Sequence, residues 1–163
     1  MHLVSSLLKS ENRAMNVSYD VFIGAFLEKI SEFEFIKLSD ETRNQMVDGF
    51  LHRAVSEFKK NCHYSLTGSF DDCNRQLTVD VAQEDIDELA NIISEGMVVQ
   101  WLKPYVYSQE NLQNALSTRD YSVYSPAELL KRVGDTYTKA RNDYIQMIRE
   151  YSYNHGDLTD LHI

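Results

Sequence analysis

Cys62, His63 and Cys73 are the residues best placed in the chain to act together, as two thiols and an imidazole offering three ligands to a zinc ion. A closed zinc site normally takes four ligands at recognised spacings. His52, His155 and His162 stand too far off in sequence to complete one. Asp71-Asp72 is a carboxylate pair, but it lacks the Asp-x-Asp-x-Asp-Gly run of a calcium loop. There is no Gly-x-Ser-x-Gly, and neither cysteine sits in a nucleophile context. The six glycines are scattered, and none builds a phosphate loop ahead of a helix. His52 lies among apolar residues on a helical stretch and reads as a boundary histidine. The residue types and spacings therefore predict no catalytic group, no cofactor, no metal ligand and no enzyme.

Two other concentrations stand out. From Asp71 to Glu95 there are eight carboxylates (Asp71, Asp72, Asp80, Glu84, Asp85, Asp87, Glu88 and Glu95) and one base, Arg75. Part of this is the acid that a helix dipole favours in a first turn. The sharper expectation is a surface that repels a polyanion. Eight of the ten tyrosines lie at or after Tyr105. Tyrosine is enriched at interfaces because it is large, fairly rigid and polar at one end. Tyr105, Tyr107 and Tyr124 are the candidate subunit or partner contacts. Tyr137, Tyr144 and Tyr151 read as core-edge residues, and Trp101 as a core anchor.

Charge points the same way. The chain carries 16 basic and 25 acidic residues, net −9. Duplex-binding proteins neutralise phosphates with a basic stripe, and here the longest basic groupings are the pairs Lys59-Lys60 and Lys131-Arg132. Two cysteines make no disulfide framework. No apolar run reaches the ~18 residues of a membrane span, and residues 1–10 make a poor signal peptide. These features disfavour a secreted disulfide protein, a membrane protein and a disordered tail.

The elements that must position these residues are mostly helices. Six Gly and two Pro in 163 residues fall well below the about 12% usual for the pair, too few for the turns of a sandwich. Ser18 is an N-cap, and Tyr19, Phe22, Ile23, Phe26, Leu27 and Ile30 follow in one stripe. Residues 3–15 carry a weaker helical pattern. A second helix starts after Ser39-Asp40, with Val47, Phe50, Leu51, Ala54 and Phe58 on its apolar face. A third runs from about Gln83 toward Pro104, which ends or kinks it. Residues 109–116 form a short helix capped by Ser108. Ser125, Pro126 and Glu128 make a strong start signal for the last helix. Its stripe is Leu130, Val133, Tyr137, Ala140, Tyr144, Met147 and Tyr151, which packs either in the bundle or against a neighbouring subunit. Between the second and third helices, Thr67-Gly68-Ser69 is a turn signal and Leu77, Val79 and Val81 alternate as in a strand. The predicted fold is therefore a mainly all-α single domain over 1–163. It is a bundle of four to five helices with a protruding loop or short β-hairpin around 64–81 that is expected to be a flexible arm, a long C-terminal helix and a tail at 154–163.

The second half resembles a known family. The residues that carry this are Asp85-x-Asp87-Glu88-Leu89-Ala90, Met97-Val98, Trp101-Leu102-Lys103-Pro104 and Ser108-Gln109-Glu110-Asn111-Leu112. Arg119-Asp120-Tyr121, Tyr124-Ser125-Pro126 and Tyr151-Ser152-Tyr153 follow. The chain is similar here to the head–tail connector proteins of tailed bacteriophages, the adaptor or head-completion proteins beneath the portal. That resemblance spans roughly Tyr19 to Tyr153. It implies a virion protein made in the host cytoplasm and placed in the neck, in a homo-oligomeric ring that is commonly twelvefold. It implies as partners the portal protein and the next neck or tail protein, with DNA passing through unbound and no membrane involved. On that footing Asp71, Asp72, Asp80, Glu84 and Asp85 are the candidate DNA-channel surface. Tyr153, Leu158, Leu161 and Ile163 are the candidate portal-docking tail. A tail-completion or stopper protein, and a helical regulator or chaperone that binds one partner, are the alternatives.

Overall fold

A computed structural model describes residues 14–30, 38–62, 68–107 and 126–156. In chain order these form β1 (Met15–Ser18), α1 (Tyr19–Lys29), α2 (Asp40–Asn61), β2 (Ser69–Asp71) and β3 (Gln76–Val79). A 3-10 turn at Gln83–Asp85 leads into α3 (Ile86–Tyr107), and α4 (Pro126–Asn154) closes the set. The architecture is the mostly helical bundle with a hairpin that the periodicity predicts.

The helix starts are local chemistry. The Ser18 hydroxyl accepts from the Asp20 N–H, and the Ser39 hydroxyl from the Thr42 N–H. Each satisfies a backbone donor that the first turn leaves without a partner. Asp20, and Asp40 with Glu41, sit in those first turns, where the dipole favours negative charge. Pro126 opens α4, where its missing N–H costs nothing. The Ser125 cap and the helix expected at 109–116 lie outside the described residues.

α3 is the axis of the bundle. Ile86, Leu89, Ile92, Ile93, Met97, Val99 and Leu102 are all buried, more than half of its circumference, so it has neighbours on several sides. It packs on α1, α2 and α4. Two contacts, one at mid-helix and one at an end, set the directions. Tyr144 of α4 lies against Gly96, and His155, just past α4, lies against Asp85 and Glu88. The two helices therefore run antiparallel.

Gly96 is where backbone identity matters. A Cβ there would stand 2.5 Å from the Tyr144 ring, a distance that real side chains do not adopt. Through this gap the fully buried Tyr144 sends its hydroxyl to the Ala54 carbonyl of α2, at 2.7 Å. From Tyr137 onward the stripe on α4 packs in the bundle: Ala140, Tyr144 and Tyr151 are buried, and Tyr137 and Met147 are half-buried against the core. It departs from the expected residues at two places, where Leu129 and Ile148 are the buried ones and Leu130 and Met147 are half-buried.

The sheet has the order β1-β3-β2, antiparallel throughout. Val17 faces Leu77, which faces Phe70, and Met15 faces Val79. All five share one face because strand side chains alternate. That face covers the core, and Leu77 and Val79 are fully buried. Thr78 donates to Asn16 on the other face, at 2.8 Å. The hairpin expected between 64 and 81 is thus present, and its inner face is part of the core.

Three details differ from the sequence expectation. Residues 15–18, whose first residue ends the stretch read as a weak helix, form an edge strand that pairs with β3. Residues 1–13 lie outside the described residues. Leu27 is on the apolar stripe of α1 but is 44% exposed. α3 continues one turn past Pro104. Near a helix end the proline forfeits one backbone hydrogen bond, and the neighbouring helices hold the rest of the turn.

Candidate functional site

The β2–β3 turn carries the acidic pair that the sequence singled out. Asp71 is exposed and accepts from Asn74 twice, from its backbone N–H at 3.1 Å and its side-chain amide at 2.8 Å. Those bonds hold its carboxyl below the usual range. Arg75 closes the turn in the left-handed region, at φ 52°, a conformation a non-glycine side chain adopts only when its surroundings fix it. Its carbonyl accepts from the Tyr19 N–H at 2.9 Å.

Asp72 sits in a cluster that sequence reading missed. One of its oxygens accepts from the Tyr19 hydroxyl at 2.7 Å and from His52 Nε2 at 2.8 Å. The His52 ring stacks on Phe70, with centroids 3.8 Å apart. Donation from Tyr19, and then from His52, holds the Asp72 carboxyl below its ordinary value. Burial first, and then the Asp72 carboxylate, push the Tyr19 phenol far above its own. Beside them, Arg75 bonds Asp48 at 2.8 Å and reaches toward Asp20 at 3.7 Å. Asp48 is nevertheless raised, because burial outweighs the guanidinium. Tyr19, His52 and Asp72 belong to three different elements, 20 to 53 residues apart. No local spacing announces them. The arrangement is a latch: a protonated phenol and an imidazole N–H both donate to one carboxylate. It fixes the acidic turn to α1 and α2 and leaves the other face of the turn in solvent.

The remaining acidic candidates do not share one open face. Glu84 is exposed. Asp80 is half-buried, and one of its carboxylate oxygens is fully buried with no hydrogen-bond partner among the described residues. Asp85 is half-buried and turns toward His155 at the end of α4. The buried Tyr151 phenol nearby is pushed up to about 12, by burial first and then by the Asp85 charge.

Among the tyrosines, Tyr107 is 78% exposed and Tyr153 69%. Tyr105 is half-buried with its ring edge-on to Trp101, at 5.8 Å. Tyr124, Leu158, Leu161 and Ile163 lie outside the described residues. Cys73 is exposed on the hairpin turn. Cys62 is half-buried at the end of α2 and accepts from the Ser152 hydroxyl at 3.2 Å. His63 is outside the described residues.

One charge feature was not legible as a sequence run. Arg53, Lys60 and Lys103 line an open groove of about 490 Å³ between α2 and α3, with Glu57 among them. Among the described residues no helix is long and apolar enough to cross a membrane. Comparison with family models, with curated proteins and with solved structures finds no match for the chain.

Proposed function

We propose that this chain is a structural protein of the head–tail connector type. In this role it forms a ring between the portal and the next neck or tail component and continues the DNA channel. The observation that carries this reading is the exposed Asp71-Asp72 turn, held on a rigid mount by Tyr19 and His52. A wall along which DNA slides needs fixed negative charge and few phosphate-binding cations, so that the polymer neither sticks nor stalls. The exposed Tyr107 is a contact available toward a neighbouring subunit or partner, and the exposed Tyr153 one toward the portal. The family resemblance over roughly Tyr19 to Tyr153, most specific from Asp85 on, supplies the setting.

The test is stoichiometry and position in purified particles of a phage that makes this chain. Quantitative mass spectrometry is expected to give a copy number near that of the portal protein. Electron microscopy of the neck is expected to place the chain directly below the portal, with Asp71 and Asp72 facing the lumen. Absence from the particle overturns the reading. Density with Asp71 and Asp72 on the outer wall overturns the channel assignment.

The cationic groove of Arg53, Lys60 and Lys103 favours a second reading, a helical module that holds one acidic partner. Its sign is a complex of one or two copies in place of a ring.

A further inference from the structure

We propose that Asp85, Glu88 and His155 form a binding site for a first-row divalent cation of the zinc class, joining the start of α3 to the end of α4. One carboxylate oxygen from each acid and the imidazole nitrogen all lie within 4.8 Å of one another. His155 Nε2 stands 3.6 Å from Asp85 and 3.8 Å from Glu88, longer than a direct hydrogen bond. Ligands held about 2.0–2.2 Å from one tetrahedral ion stand roughly 3.4 Å apart, so the imidazole nitrogen already lies within a few tenths of an ångström of ligand spacing to each acid, and the two carboxylate oxygens, within 4.8 Å of each other, close the rest by side-chain rotation. Asp85 and Glu88 are three residues apart, which puts them on one face of the chain as it enters α3. The antiparallel run of α4 brings His155 to the same place.

The tautomer supports the assignment. His155 Nδ1 lies 3.0 Å from the Tyr151 carbonyl. A carbonyl only accepts, so Nδ1 carries the proton and donates. That leaves Nε2, the nitrogen facing the two carboxylates, as the one that a metal ion would take in place of a proton. A metal-bound histidine usually donates its other ring N–H to a carboxylate, a backbone carbonyl or water, which fixes the ring's orientation. The ring is also stacked on Tyr151, with centroids 4.0 Å apart, which fixes its plane. The donor set selects the ion. One imidazole with two carboxylates suits zinc and its transition-metal neighbours, whereas magnesium and calcium prefer oxygen donors alone. With three protein ligands, water completes the coordination.

The experiment is calorimetric titration of the full chain with zinc chloride near neutral pH. Parallel titrations use magnesium and calcium, and the variants Glu88→Gln and His155→Gln. The expected result is one zinc equivalent in the wild type that weakens tenfold or more in each variant, with no comparable heat from magnesium or calcium. Glu88 is on the surface, so E88Q keeps the fold, which circular dichroism checks. Cobalt added as a probe is expected to develop a visible absorption band that H155Q loses. If the wild type binds no zinc, the cluster is an ion pair of protonated His155 with two carboxylates, and the proposal fails. If zinc binds equally to wild type, E88Q and H155Q, the ligands are elsewhere and the proposal fails as well.

Discussion

Asp72 accepts two hydrogen bonds on one carboxylate oxygen, and the consequence is a pH dependence with a definite sign. Its folded-state carboxyl is more acidic than in the unfolded chain. The stability this contributes is fully present above the ordinary carboxyl value of 3.8 and is lost as pH falls through the depressed folded value. Tyr19→Phe is therefore expected to lower Tm at neutral pH, and the gap from wild type is expected to close below about pH 3.8. A gap that stays constant across an acid titration of Tm would show that Asp72 does not sense the phenol. The Tyr19 and Tyr144 phenols shift the other way. Stability they contribute is present below pH 10 and lost as pH rises through their raised values. Phenolate absorbance from these two rings should emerge only together with alkaline unfolding. Gly96 gives a third expectation at this scale. Gly96→Ala gains about 1 kcal/mol of helix propensity. It drives a methyl into a ring that the Ala54 carbonyl pins in place, an overpacking that costs about 1–3 kcal/mol. Urea denaturation should show a net loss, with Tyr144→Phe losing about 0.5–1.5 kcal/mol for the hydroxyl alone. A more stable G96A would mean that the ring can move aside.

At the scale of elements, what the sequence makes legible is what short-range chemistry decides. Ser18, Ser39 and Pro126 mark helix starts because a cap or an N1 proline acts within three residues. Ser39→Ala should cost about 1 kcal/mol in thermal or urea unfolding, and an unchanged midpoint would show that the first turn of α2 frays regardless. The alternation of Leu77 and Val79 announces β3, since period two needs only a few residues. β1 was not legible, because the alternation of Met15 and Val17 with Asn16 and Ser18 runs into a helical pattern before it and a helix cap after it, and these residues form a strand by meeting β3. The choice for the α4 stripe between bundle and neighbour also lay beyond local pattern. It is decided by a glycine on another helix, 48 residues away from Tyr144. Leu27 has the right spacing but faces outward, since α1 meets the bundle over a narrower arc than its apolar residues cover.

At the scale of the whole molecule, the sequence counts charge but does not place it. Asp71, Asp72 and Glu84 reach the surface, whereas Asp80 is half-buried and Asp85 turns toward His155, a group that its neighbours in sequence do not reveal. Cations scattered along α2 and α3 converge on one groove for the same reason. The channel assignment makes its prediction at this scale. Assembled wild-type rings should pass a nitrocellulose filter assay without retaining duplex DNA, and rings of the double variant D71K/D72K should retain it, more strongly at low salt. Equal retention by both would take the hairpin off the lumen. Alanine at Tyr105, Tyr107 and Tyr124 should abolish ring formation in sedimentation, and intact rings would remove these tyrosines from the interface.

The Tyr144 hydroxyl threads a gap at Gly96 to reach Ala54, and so works as a key in a slot. α4 cannot creep along its axis without pulling the phenol off α2 and driving the ring into α3. A pull applied at the far end of that helix is therefore carried by three helices at once. The longest described element of the chain transmits load as a strut, and it gives way only when the bundle does.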